Sequence, residues 1–271
     1  MSLEFRSLQP TEYLRKHISS GFRPDGRKLN ERRPISISSG NIKSADGSSI
    51  VRQGNTTVVC GIKLELAKPT PENPNQGFIV PNVTLPAMCN PSFKSGPPSA
   101  EAQSLSAFVK EVIDSSSCID LTELCPVNHM FAWVLYIDII CLDHDGNIRD
   151  AAVAGLMAAL RSLQIPELDF DSETEKVSVT SVRNPLKLCR MAVSCSSGIY
   201  DMDSPKLISD TTWEEEENSD SQITLVTLDS GEICTSQQTG GSPLSSEALQ
   251  EAISLASTHS KEILNALKSL T

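Results

Sequence analysis

Between Phe131 and Leu163 the hydrophobic pattern changes twice: FAWVLYIDIICL, then a polar turn DHDGNIR, then DAAVAGLMAALRSL. The first block is nearly all apolar, rich in β-branched and aromatic residues and interrupted only by Asp138, which predicts a strand buried on both faces. Ala151–Leu163 has little polar face and predicts a helix inside the domain with other elements on several sides. A strand, a glycine turn and a helix N-terminus direct free backbone N–H groups at an anion. The turn's own carboxylates, Asp143, Asp145 and Asp150, oppose that role. A helix end contributes about 0.3–1 kcal/mol near a surface. One like charge at ~4 Å costs about 4 kcal/mol at an effective dielectric near 20. Arg149 offsets part of this. The plainer expectation is a cap in which Asn147 accepts from the helix and Asp150 closes a capping-box-like turn.

Patterning elsewhere predicts mixed elements. PTEYLRKHIS (10–19) reads as a short helix capped at Thr11, with His17 packing on its apolar side, and FRPDGRKL (22–29) as a basic, solvated turn. Residues 47–66 alternate about Gly54–Asn55 as a hairpin, with Val58, Cys60, Ile62, Leu64 and Leu66 on the buried face. A proline-rich loop (68–76), a strand from Phe78 to Leu85 and a second proline-rich connection lead to an amphipathic helix, Ala100–Ile113, with Leu105, Phe108, Val109, Val112 and Ile113 inside. Pro166 is expected to stop the central helix. Residues 167–183 are polar until Val177, Val179 and Val182 and predict a seam between two lobes. Leu188–Ile199 and Gln222–Cys234 predict further strands. Between them, YDMDSPKLISDTTWEEEENSD reads as a solvated acidic loop, although clustered oxygens also suit magnesium. Ser245–Leu270 is a long serine-capped helix with Leu249, Ile253, Ala256, Ile263, Leu267 and Leu270 on its buried stripe. Strands and helices mixed in both halves predict an α/β or α+β fold.

At 271 residues the chain can bury about three-quarters of its unfolded surface, in one large or two small lobes. There is no hydrophobic leader and no apolar run near 18 residues, so neither secretion nor a membrane span is indicated. Eight cysteines without a CxxC pair suit a reducing compartment and provide no zinc framework. The net charge of −11 excludes a broadly basic nucleic-acid-binding domain, so any RNA contact must be local or shared with other subunits.

RPDGR (23–27), ADGSSIVRQGNTTVVCGIK (45–63), the strand–DGNIR–helix about 145–149 and TTWEEEE ahead of the final helix together resemble the ribonuclease PH family, from about residue 20 to the C-terminus. Within it, VPNVTLPAMC (80–89), SGPPSAEAQ (95–103) and WVLYIDIICLDHDGNI (133–148) resemble ring subunits of the eukaryotic RNA exosome. The resemblance implies two similar mixed-sheet lobes with helices packed between and around them: an N-terminal helix over 1–21 and lobes over 22–183 and 184–271. It implies six related chains closed into a ring around an RNA channel, with RNA-binding cap subunits and an associated catalytic ribonuclease. The expected locations are nucleus, nucleolus and cytoplasm.

Active family members degrade RNA by phosphorolysis. That chemistry needs a held phosphate, positive charge on the RNA backbone and carboxylates to place a metal or a proton. Carried over by residue, the phosphate turn Gly-Gly-Thr-Arg becomes Gly146, Asn147, Ile148 and Arg149, which loses the threonine hydroxyl. An arginine ahead of the Glu-x-Gln motif at Glu101 and Gln103 falls at Pro98, which offers neither charge nor N–H. Two catalytic aspartates fall at Glu216 and Gln222, and an amide cannot act as a general base. The resemblance therefore implies a subunit without catalytic residues and without a cofactor, with Arg149 and Lys94 as candidate RNA contacts. Arg149 either touches an RNA phosphate in the channel or pairs with a neighbouring aspartate. The alternative is an active phosphorolytic exoribonuclease.

Overall fold

The alternation of Val58, Cys60 and Ile62 with wetter residues places Thr56–Ala67 (β3) in the middle of a five-stranded sheet. The other strands are Ile35–Ser39 (β1), Gly47–Gln53 (β2), Phe78–Thr84 (β4) and Ala132–Asp143 (β5), in the order β1-β2-β3-β5-β4. All neighbours run antiparallel except β4 and β5. The computed structural model describes residues 6, 8–126, 130–171, 176–202, 205–241 and 243–270. A parallel pair needs a crossover, and Ala100–Ser116 (α2) provides it; Ser99 Oγ caps the helix by accepting from the Ala102 N–H at 3.1 Å.

Strand β5 is not buried on both faces along its length. From Tyr136 onward it alternates, leaving Tyr136, Ile140 and Leu142 at 38–41 % exposure, because the helices of the chain cover only the opposite face there. Ile148–Arg161 (α3) is buried all round, as its composition demands, and lies between β2 and β3 on one side and Ala192–Tyr200 (β8) on the other. It stops at Arg161, ahead of Pro166. That proline instead sits at a register irregularity in Gln164–Asp171 (β6), which pairs with Lys176–Pro185 (β7). The stretch expected as a seam is therefore a two-stranded hairpin with Val179 and Val182 exposed.

The second sheet is antiparallel, ordered β11-β10-β8-β9, with β9 at Lys206–Ser209, β10 at Ser221–Leu228 and β11 at Ile233–Gly240. The run expected over Gln222–Cys234 is thus two strands joined at a tight turn through Gly231. Ser246–Lys268 (α5) packs on β8 and β10, but its buried stripe is Ala248, Ala252, Ala256, Ile263, Leu264 and Leu267. Small alanines bring the helix backbone close to the sheet and leave Leu249 and Ile253 outside, a phase shift of one residue over the first two turns, whereas Ala256, Ile263 and Leu267 are buried as expected. Pro10–Ser19 (α1) opens on its proline rather than on a Thr11 cap, and Thr11 Oγ1 donates to Asn218 Oδ1 at 2.7 Å. Leu14 and Ile18 pack on Tyr200 and Ile208, and His17 stacks on Tyr13 at 4.4 Å.

Two expectations about charge need correction. The basic turn is solvated only in part: Phe22, Asp25, Gly26 and Lys28 are exposed, whereas Arg23 is 2 % exposed. The acidic stretch is not a solvated loop: it holds β9 and a one-turn helix, Trp213–Glu217 (α4), with Asp210 and Glu215 buried. Each burial is compensated by the other, as the site geometry makes clear. Among the described residues no helix is long and apolar enough to cross a membrane.

Candidate functional site

The turn between β5 and α3 is shaped by two successive left-handed residues, Gly146 at φ +76° and Asn147 at φ +53°. Gly146 is required by space as well as by φ: a Cβ there would lie 2.5 Å from the Thr211 carbonyl oxygen. Thr56 Oγ1 staples the turn, donating to the Gly146 carbonyl at 2.7 Å and accepting from the Asp145 N–H at 3.1 Å.

Asn147 does not cap the helix by accepting. Its side-chain amide donates to Asp150 Oδ2 at 2.9 Å and to Asp210 Oδ1 at 2.8 Å, while its backbone N–H donates to Glu216 Oε1 at 2.7 Å. Nor do three carboxylates bracket an open turn. Asp150 faces inward, paired with Arg32 at 3.1 Å and accepting from the Ser196 N–H and hydroxyl. Asp145 accepts from Asn55 Nδ2 at 3.1 Å and lies 3.6 Å from Arg33.

Behind the turn lies a buried clasp of charges from three distant segments. Asp210, itself left-handed at φ +52°, accepts from the Arg33 backbone N–H, Arg33 Nε and Arg27 Nη1 through one oxygen. Its other oxygen accepts from Arg33 Nη2, Gln53 Nε2 and Asn147 Nδ2. Burial alone would raise this carboxyl, yet the Arg33 guanidinium and its companions hold it well below the usual carboxylate range. Arg23 is clamped to Glu215 and donates to the carbonyls of Ser209 and Asp210 at 2.8 and 2.9 Å.

The turn, the start of α3, α4 and β10 enclose a cavity of about 240 Å³ lined by Glu101, Asn147, Ile148, Arg149, Glu216 and Gln222, among others. The structure thus gathers Ile148, Arg149, Glu216 and Gln222 in one place. Pro98 and Lys94 lie elsewhere, exposed on the connection between β4 and α2, beside a separate hollow of about 270 Å³. Arg149 pairs with none of Asp143, Asp145 or Asp150. Its guanidinium is half-buried over the Phe108 ring at 5.4 Å and donates a long 3.4 Å bond to Thr224 Oγ1. Burial lowers its pKa against the opposing pull of Glu216, Asp150 and Glu101. Burial also pushes the Glu216 carboxyl up to about 7, although the Asn147 N–H and the Thr211 hydroxyl (3.2 Å) stabilise its charge. Among the described residues no group of three or more His, Cys, Asp or Glu side chains is placed to hold a metal ion.

Two α/β layers sharing one fully buried helix, with a cavity of mixed charge at that helix's N-terminus, define a two-lobed protein with a candidate oxyanion site between its sheets. Residues 31–166 match the model of the 3′ exoribonuclease family (RNase PH), domain 1, and residues 190–259 match that of domain 2. The chain belongs to this 3′ exoribonuclease family. It is 38% identical over 253 residues to exosome complex component rrp43 of Schizosaccharomyces pombe, covering 93% of each chain. It is 36% identical to exosome complex component Rrp42 of Methanopyrus kandleri, covering 93% of this chain and 92% of that one. Its fold is similar to a chain of the Archaeoglobus fulgidus exosome with RNA bound to the active site (TM-score 0.84, 27% identity, 94% of this chain and 96% of that one). Rice Rrp46, at 22% identity and TM-score 0.69 over 91% of this chain and 99% of its own, shares the fold.

Proposed function

We propose that this chain is a non-catalytic structural subunit of an RNA exosome core ring, supporting 3′-to-5′ RNA processing and degradation. The observation that carries the reading is a whole-length likeness to exosome components combined with a cavity in which Gln222 and Ile148 stand where the family's chemistry needs a carboxylate and a hydroxyl. Neither side chain can take up or give a proton at neutral pH. Its partners are related RNase PH-like ring subunits, RNA-binding cap subunits and a separate catalytic ribonuclease, in nucleus, nucleolus and cytoplasm. Arg149 and Lys94 are proposed to meet RNA phosphates as the strand passes. Among the described residues Arg149 makes no ion pair with a carboxylate, which favours such a contact.

The test is phosphorolysis by the purified full chain, alone and with its partners, of poly(A) with inorganic phosphate. No ADP release attributable to this chain is expected. Phosphate-dependent ADP release that vanishes on Glu216→Gln would overturn the proposal in favour of an active exoribonuclease.

A further inference from the structure

We infer that Glu216 fills the oxyanion seat at the start of α3 with its own carboxyl group, so that the site is closed by an internal ligand as well as lacking reactive side chains. The inference rests on the reading of the chain as non-catalytic and names how an external phosphate is kept out. Helix α3 runs fourteen residues from Ile148, long enough for its first-turn N–H groups to favour an anion. The Asn147 N–H that leads into that turn is already taken by Glu216 Oε1 at 2.7 Å, and the Thr211 hydroxyl donates to the same oxygen at 3.2 Å.

This carboxyl is held there by construction. Its neighbour Glu215 closes a capping box with Thr212, accepting from the Thr212 N–H at 2.8 Å, and is clamped on its other side by buried Arg23. With Glu215 fixed into the clasp, the next residue of a one-turn helix faces the turn at Gly146 and Asn147. A further observation marks the place as suited to an anion. Arg149 lines the same cavity and, among the described residues, makes no ion pair. A guanidinium and a backbone N–H match an oxyanion, and the Glu216 carboxyl stands beside both.

The experiment measures inorganic phosphate binding at pH 8 by the full chain co-purified with related ring subunits, using calorimetry and phosphate-dependent thermal shift against chloride at equal ionic strength. Wild type is expected to bind no phosphate saturably, whereas Glu216→Ala should bind it at least about tenfold more tightly, with a dissociation constant on the order of 1 mM. Adding Arg149→Ala should abolish that gain. Should Glu216→Ala fail to fold, Glu216→Gln decides: it keeps the shape and removes the charge, and should gain a smaller, several-fold affinity. Phosphate affinity equal to wild type in either folded variant overturns the self-filled seat, as does a wild type that already binds at millimolar concentration. Turnover by wild type would instead overturn the non-catalytic reading, and is scored separately by ADP release.

Discussion

Replacing Asp210 by asparagine removes one charge and almost no volume, yet it should be among the most damaging substitutions in the chain. Each carboxylate oxygen accepts from three donors: the Arg33 N–H, Arg33 Nε and Arg27 Nη1 on one side, and Arg33 Nη2, Gln53 Nε2 and Asn147 Nδ2 on the other. Whichever way the amide is turned, its NH₂ faces three donors, and a buried guanidinium loses its nearest counter-charge. Breaking a buried ion pair from one side costs about 3–5 kcal/mol, because the surviving charge stays desolvated. For a chain of this size about 1 kcal/mol moves the melting temperature by roughly 2 °C, so a drop of roughly 6–10 °C is expected. The clasp's contribution is present above the ordinary aspartate pKa of 3.8 and is lost as pH falls through the depressed folded value. The gap between wild type and variant should therefore hold from neutral pH down to about 4 and close only below it. Differential scanning calorimetry of the partner-bound chain at several pH values measures both. A melting temperature within about 2 °C of wild type at pH 7 would show that water or rearranged side chains satisfy the clasp, and would refute the reasoning.

Glu216→Gln should behave in the opposite sense. Its carboxyl is raised from 4.5 to about 7, so it favours folding when protonated, and that contribution is lost as pH rises through 7. The variant should be more stable than wild type at pH 8, by at most about 3 kcal/mol and less for the part open to the cavity, with the difference vanishing towards pH 4.5; equal urea midpoints at pH 8 would contradict this. Gly146→Ala places a methyl against the backbone of Thr211, Thr212 and Trp213 at 2.5–2.6 Å in a left-handed residue. A loss of at least about 2–3 kcal/mol in urea is expected, and one below about 1 kcal/mol would mean that the turn yields. Arg149→Ala should weaken RNA binding by the assembled ring and lower the log–log salt slope by about 0.7, one phosphate contact on a single strand; unchanged affinity and slope would remove this residue from the RNA path.

What the sequence made legible was periodic. The alternation in β3, the stripe of α2 and the all-apolar α3 follow from patterns that one face or all faces must bury, and these elements stand where they were expected. Phase was harder to read. In α5 both the Leu249 and the Ala248 rows could have met the sheet, and the choice depended on how closely β8 and β10 admit a helix backbone. Charge was the least legible. Arg23, Arg33, Asp210 and Glu215 belong to segments that read as solvated loops, because nothing local reveals that a basic turn and an acidic stretch some 180 residues apart neutralise each other inside the protein. The family resemblance grouped Ile148, Arg149, Glu216 and Gln222, and these four side chains line one cavity. It gave no hint that Glu216 would turn its carboxyl onto the helix, and it associated Pro98 with a cavity that the residue does not line.

The clasp also sets a timetable for the chain as it leaves the ribosome. Arg23, Arg27 and Arg33 emerge early, but their acceptors at Asp210 and Glu215 are made roughly 180 residues later. At about 5–20 residues per second the arginine-bearing arm waits on the order of ten to forty seconds without these two buried acceptors. During that interval the strands from β1 to β5 can pair, whereas the arm stays a tethered, positively charged strand. Closure of the molecule is therefore a late event, and a nascent chain halted before Asp210 should expose this arm to protease while its first sheet is already protected.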